Sequence, residues 1–306
     1  MLKFSARILT VLFTAVLAGS VASPALADPG SQENPPNWGL DRIDQRDGAT
    51  DHLYRYDTTA SDVTVYVIGT GVDAKQADFE GRVEPGKNFV EGNDEASDGN
   101  GDGTRMASIV GGKDYGVAKA VHIVPVRVLD NSGAGNLTNI VAGLDWVAKN
   151  AKQPAVAVLG IGGPANDQLD TAVRALTAVM PVAVPAGWSA TDAANSSPGR
   201  VAEALTVGAV DAENKIAPKS NFGAGVDVFA PGVDIVSATN TSPSAASGAN
   251  EAAAFAAGAA ALYRAEHPAA TPAEVTHGIA ANATQNVLTG LSDGTPNRLL
   301  STVSDD

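Results

Sequence analysis

Val63-Thr64-Val65-Tyr66-Val67-Ile68, running directly into Gly69-Thr70-Gly71, is the stretch on which the fold turns. β-Branched and aromatic residues follow one another there with no apolar/polar alternation. Such a strand is buried on both faces, the situation of a parallel sheet covered by helices. Residues 122–129, 155–159 and 181–184 repeat the pattern, while 137–151, 167–180, 251–267 and 272–285 have the length and spacing of helices. This alternation predicts an α/β fold: a three-layer, doubly wound, mostly parallel sheet with helices on both faces. Ligands of such sheets bind at the carboxyl ends of the strands, which are residues 69–71, 129–135, 160–163 and 185–188.

Composition narrows the function. The chain has 306 residues, 44% of them hydrophobic, enough for a large core and too many for a disordered chain. Its 20 Lys and Arg against 34 Asp and Glu leave a net charge of −14, which argues against nucleic acid or an anionic membrane as partner. Without a cysteine, thiol catalysis, disulfides and Cys-ligated zinc are excluded. Lys3 and Arg7, the apolar run 8–22 and Ala25-Leu26-Ala27 read as a secretory signal peptide cleaved after Ala27. That predicts a secreted, extracellular chain of one domain over residues 28–306, free of the membrane after cleavage and monomeric. The apolar stretch 252–263 falls short of the roughly 20 residues needed to span a bilayer, so it reads as a buried helix.

Motifs along the whole mature stretch carry a resemblance. Asn37-Trp38-Gly39-Leu40-Asp41-Arg42-Ile43-Asp44-Gln45, Val126-Arg127-Val128-Leu129-Asp130, Ser220-Asn221-Phe222-Gly223, Asp227-Val228-Phe229-Ala230-Pro231-Gly232 and Ser247-Gly248 leading into residues 257–262 stand in order. In these segments the chain resembles the subtilisin-like serine peptidases (subtilases), in particular their proteinase K-like branch. The resemblance implies the subtilisin-like fold and peptide-bond hydrolysis by an Asp/His/Ser triad with an asparagine in the oxyanion hole. Only residues 28–37 precede Trp38 after the predicted cleavage, so no pro-domain of the kind active relatives carry is expected.

Residue by residue, the matched positions differ from the family's. The D-T-G strand end reads Gly69-Thr70-Gly71, and the G-H-G-T-H-V helix start reads Gly101-Asp102-Gly103-Thr104-Arg105-Met106. The oxyanion asparagine is matched by Trp188, and the nucleophile segment reads Gly248-Ala249-Asn250-Glu251, with Asn250 in the serine's place. Serine-type hydrolysis needs a hydroxyl beside a base and a third group to hold that base. The reading from these four positions is a secreted, catalytically inactive pseudoprotease. Its degenerate cleft would bind a peptide, a protein or a protease inhibitor. The alternative is a weak serine-type endopeptidase, or a hydrolase using the carboxylates Asp102 and Glu251.

The resemblance also implies a peptide groove between Ser132-Gly133-Ala134-Gly135 and Gly160-Ile161-Gly162, where small residues let an extended backbone approach. Those glycines also fit plain turns, and Trp188 is placed to cap or fill the pocket beside them. A structural Ca2+ is implied at Asp227 with the backbone carbonyls of Ala202 and Ala204, and no catalytic cofactor. Asp98-Gly99-Asn100-Gly101-Asp102-Gly103 matches the first half of a calcium loop, but Ile109 stands where the closing glutamate belongs, which rejects the full motif.

Overall fold

The computed structural model describes residues 29–46 and 50–303, so the predicted signal peptide lies outside the described residues. A short helix, α1 (Trp38–Ile43), opens the body, with the Asn37 side chain accepting from the Leu40 N–H as its cap. Nine strands form the main sheet: β1 (Thr64–Gly69), β2 (Lys87–Asn88), β3 (His122–Arg127), β4 (Ala155–Leu159), β5 (Val182–Pro185), β6 (Leu205–Val210), β7 (Val228–Pro231), β8 (Thr284–Gln285) and β9 (Arg298–Leu299). Their spatial order is β8-β9-β7-β6-β5-β4-β1-β3-β2. Every pairing is parallel except β8 with β9, which closes one edge antiparallel. The expected doubly wound α/β architecture is therefore present.

Helices α2 (Asp102–Gly111), α3 (Leu137–Asn150), α4 (Asp167–Thr177), α5 (Ala249–Glu266) and α6 (Pro272–Asn282) cover the sheet. Period-two alternation along the strands feeds two separate cores. Val65, Val67, Val156 and Val158 face the layer of α2 and α5, whereas Tyr66, Ile68, Ala157 and Leu159 face α3 and α4. Side chains start these helices where the sequence supplies a cap. Asn136 accepts from Asn139, Asn166 from Gln168 and Leu169, and Thr271 forms a capping box with Glu274.

The apolar stretch of α5 is the centre of the larger core. From Glu251 through Leu262 the helix is buried all round, as a helix without a polar face must be. Its alanines let it run close beneath β4, β5 and β6. At Gly258 the approach to the segment that follows α2 leaves no room for a methyl group, since a Cβ there would stand 2.6 Å from the Val117 Cβ. No helix among the described residues is long and apolar enough to cross a membrane.

Local differences from the sequence reading have physical causes. The strand expected over 122–129 ends at Arg127, because the N–H groups of Val128 and Leu129 both turn to the Gly69 carbonyl, at 2.9 and 3.0 Å. Helix α5 begins two residues earlier than expected, at Ala249, as the hairpin of Ile235–Ser237 with Ser244–Ala246 delivers the chain to Gly248.

Candidate active site

Two helix N-termini meet at the carboxyl end of the sheet. Helix α2 starts there because Asp98 organises the turn before it: Oδ1 accepts the N–H groups of Asn100 and Gly101 at 2.9 and 2.8 Å, and Oδ2 accepts the N–H and hydroxyl of Thr104 at 2.9 and 2.6 Å. Gly101 takes φ +109°, a left-handed backbone that side chains resist, and this turns Asp102 into the first helical position. The Asp98 carboxylate is thus fully engaged by its own loop, which explains why the calcium-like string serves as a helix start. Asn250 and Glu251 arrive on the first turn of α5.

Asn250 Nδ2 donates to Asp102 Oδ2 at 3.0 Å. Glu251 is 4% exposed, and Arg105, one helical turn after Asp102, reaches it with Nε 3.7 Å from Oε1. Burial pushes the Glu251 carboxyl up to about 7, helped by the negative charge of Asp102 and opposed by Arg105. Burial also raises Asp102, against the Asn250 hydrogen bond and the Arg105 charge. Two carboxyl groups with displaced ionisation therefore share one site, a pattern that concentrates at functional clefts.

The cleft around them is a cavity of about 830 Å³ that Asp102, Arg105, Asn250 and Glu251 line together with Trp188 and Gly162. A neighbouring depression of about 490 Å³ is lined by Ser132, Gly133 and Gly135 on one side and Gly160, Ile161 and Gly162 on the other, with Asp102 and Asn250 at its end. Ala134 is exposed beside it and donates its N–H to Asp130. Trp188 is half-buried in the larger cavity and does not line the smaller one, so the groove is not capped by the indole. Gly69 closes β1 beside Gly160, and the next residue, Thr70, accepts the Gly103 N–H at 2.9 Å.

Sequence reasoning gave Arg105 no role, although its i+3 spacing from Asp102 was there to be read. Asn100, read from sequence only as part of the calcium-like string, has a structural task. Its side chain accepts the Asp102 N–H at 3.2 Å and donates to the Asn131 carbonyl at 3.0 Å, joining α2 to the groove wall. Away from the cleft, Asp227 Oδ2 accepts the Thr206 N–H at 2.8 Å, and burial raises its carboxyl to about 6 while Arg298 and His277 partly offset it. Among the described residues no three His, Asp or Glu side chains cluster as a metal site, so an ion at Asp227 would depend on carbonyls such as those of Ala202 and Ala204. A single carboxylate with negative charge left over suits one hard cation held otherwise by backbone oxygens.

The fold and cleft define a class first: an α/β protein that presents titratable groups at the carboxyl edge of a parallel sheet, with an extended groove leading to them. Residues 60–300 match the subtilase family, and the chain belongs to that family. It is 43% identical over 274 residues to an extracellular serine proteinase of Thermus sp. (strain Rt41A), covering 88% of this chain and 67% of that protein. It is 42% identical over 270 residues to the alkaline serine exoprotease A of Vibrio alginolyticus, covering 88% of this chain and 50% of the relative. The chain thus spans about two thirds of the first protein's length and half of the second's. A solved structure of a cold-adapted subtilisin-like serine proteinase superposes with a TM-score of 0.86 at 41% identity, covering 88% of this chain and 98% of that one.

These findings correct the expectation of an inactive, non-enzymatic chain. Relatives more than two fifths identical to this chain over the matched stretch are named serine proteinases or exoproteases. The expectation rested on the residues at the four matched positions and set the carboxylates Asp102 and Glu251 second, as the alternative. What α2 and α5 bring together is an open cleft holding two carboxyl groups that burial raises, Glu251 to about 7.

Proposed function

We propose that the chain is a secreted hydrolase of peptide bonds, working as a monomer on extended peptides or protein segments, with Asp102 activating water and Glu251 as its acidic partner. The observation that carries this reading is the pair itself: a buried and a half-buried carboxyl lining the same cleft of about 830 Å³, the buried one raised to about 7. A general base and a general acid serve best when their ionisations lie near the working pH and apart from each other. Asp102 is half-buried, and its negative charge adds to the burial that raises the deeper Glu251 to about 7. Water attacks the scissile carbonyl as Asp102 takes its proton, and Glu251 delivers a proton to the departing amine. Arg105 balances the charge that this exchange moves across the pair. Ser132-Gly133-Ala134-Gly135 and Gly160-Ile161-Gly162 would seat the substrate backbone as an added strand leading to Asp102.

A structural Ca2+ belongs to the same reading. Asp227 with the carbonyls of Ala202 and Ala204 would hold it, and the ion would supply stability and no chemistry. The function is tested on purified residues 28–306 with a fluorescent peptide library and a fluorophosphonate serine probe. Peptide cleavage without probe labelling, reduced about a hundredfold or more in Asp102→Asn, is expected. Absence of cleavage across the library defeats the reading, and labelling would show a nucleophilic serine in place of activated water.

A further inference from the structure

The amide already in contact with Asp102 belongs to the protein itself. Asn250 Nδ2 lies 3.0 Å from Asp102 Oδ2, while Asp102 Oδ1 has no hydrogen-bond partner among the described residues. Both side chains line both cavities, so solvent reaches the pair from the cleft. One carboxylate therefore holds the nitrogen of a side-chain amide with one oxygen and has the other free to hold a water. We propose that Asn250 is a self-modification site, where Asp102 promotes hydrolysis of the side-chain amide and leaves an aspartate at position 250.

The proposal rests on the reading of Asp102 as a base. Asp102 Oδ1 takes a proton from water as the water oxygen bonds to Cγ of Asn250. The Cγ–Nδ2 bond then breaks, and the carboxyl of Asp102 returns the proton to the nitrogen it already faces. One water is consumed, one ammonia is released, and nothing is oxidised or reduced. Burial raises Glu251 to about 7, and the negative charge of Asp102 beside it adds to that shift. The product would set two carboxyls at the separation now spanned by the hydrogen bond. Like charges that close cannot both ionise, so they would share one proton and unite a base and an acid in one dyad. The modification would thus mature the cleft. A route through a cyclic imide is different: it uses the Glu251 backbone nitrogen, does not need Asp102, and yields isoaspartate mixed with aspartate.

The test is peptide mapping by mass spectrometry of freshly purified and aged residues 28–306 at pH 7, in ordinary and in heavy-oxygen water, with the same chain unfolded in urea as reference. Folded wild type is expected to convert Asn250 to normally linked aspartate about tenfold or more faster than the unfolded chain, and Asp102→Asn to lose that advantage. Equal rates folded and unfolded, a predominance of isoaspartate, or an intact amide after the unfolded chain has converted by half would overturn the proposal. If Asp102→Asn fails to fold, the comparison of folded with unfolded wild type decides alone. Peptide cleavage by a chain whose Asn250 stays an amide would sink this inference and spare the proposed function. Conversion of Asn250 in a chain that cleaves no peptide would do the reverse.

Discussion

Replacing Glu251 by glutamine should make the protein more stable, and only above a definite pH. The side chain is 4% exposed, and its carboxyl is raised from an ordinary 4.5 to about 7, chiefly by burial and then by the charge of Asp102. An acid whose folded pKa lies above its unfolded one binds more protons in the folded state, so stability falls as pH rises between the two values. Below pH 4.5 the group is neutral in both states and costs nothing. Above pH 7 it is ionised in both, and the folded state carries the whole cost, which for this displacement is about 3 kcal/mol. Glutamine keeps the shape and never ionises. The two proteins should therefore coincide near pH 4 and separate between pH 4.5 and 7. The variant should then stay ahead by up to about 3 kcal/mol, or roughly 6–12 °C in Tm for a domain of this size. Urea unfolding followed by tryptophan fluorescence across pH 4–9 reads the difference directly. A difference that stays flat with pH, or that grows toward acid, would refute the burial argument and with it the assignment of Glu251 as the late-ionising acid.

Other outcomes follow from particular contacts. Gly258→Ala should lose about 1–3 kcal/mol in the same unfolding assay, because its Cβ would press on the Val117 side chain and lie 3.2 Å from the Val110 carbonyl. The combined substitution Gly69→Asp, Asp102→His, Trp188→Asn, Asn250→Ser should gain fluorophosphonate labelling. A Cβ at Gly69 meets nothing nearer than the Gly160 Cα at 4.0 Å, so the added carboxylate has room, and a variant that folds without labelling would show the cleft to be mis-set for serine chemistry. Calcium should raise Tm in wild type and not in Asp227→Asn; an equal rise in both would place any bound ion elsewhere.

The layered architecture was legible because burial on both faces leaves a signature that needs no partner to be read. Residues 155–159 coincide with β4, and the helix expected over 137–151 differs from α3 by one residue at its end. Other elements were not foreseen. Strands β6 and β7 lie among glycines, prolines and turns, and β8 and β9 are two residues each, too short to show a period. Arg42 is another case: a guanidinium at 1% exposure in a helix whose sequence offers no hint that its charge is taken inside.

At the site, the sequence determined which groups are available: Asp102, Asn250, Glu251 and Arg105. Residue identity is local information, so reading it required no folding. It could not tell that Asp102 and Asn250, 148 positions apart, would stand 3.0 Å from each other, or that Glu251 would lose its water. Those facts come from the convergence of α2 and α5 at the sheet edge, and ionisation follows from them. A carboxyl's pKa depends on the dielectric and the charges around it, and only the packed chain creates those surroundings.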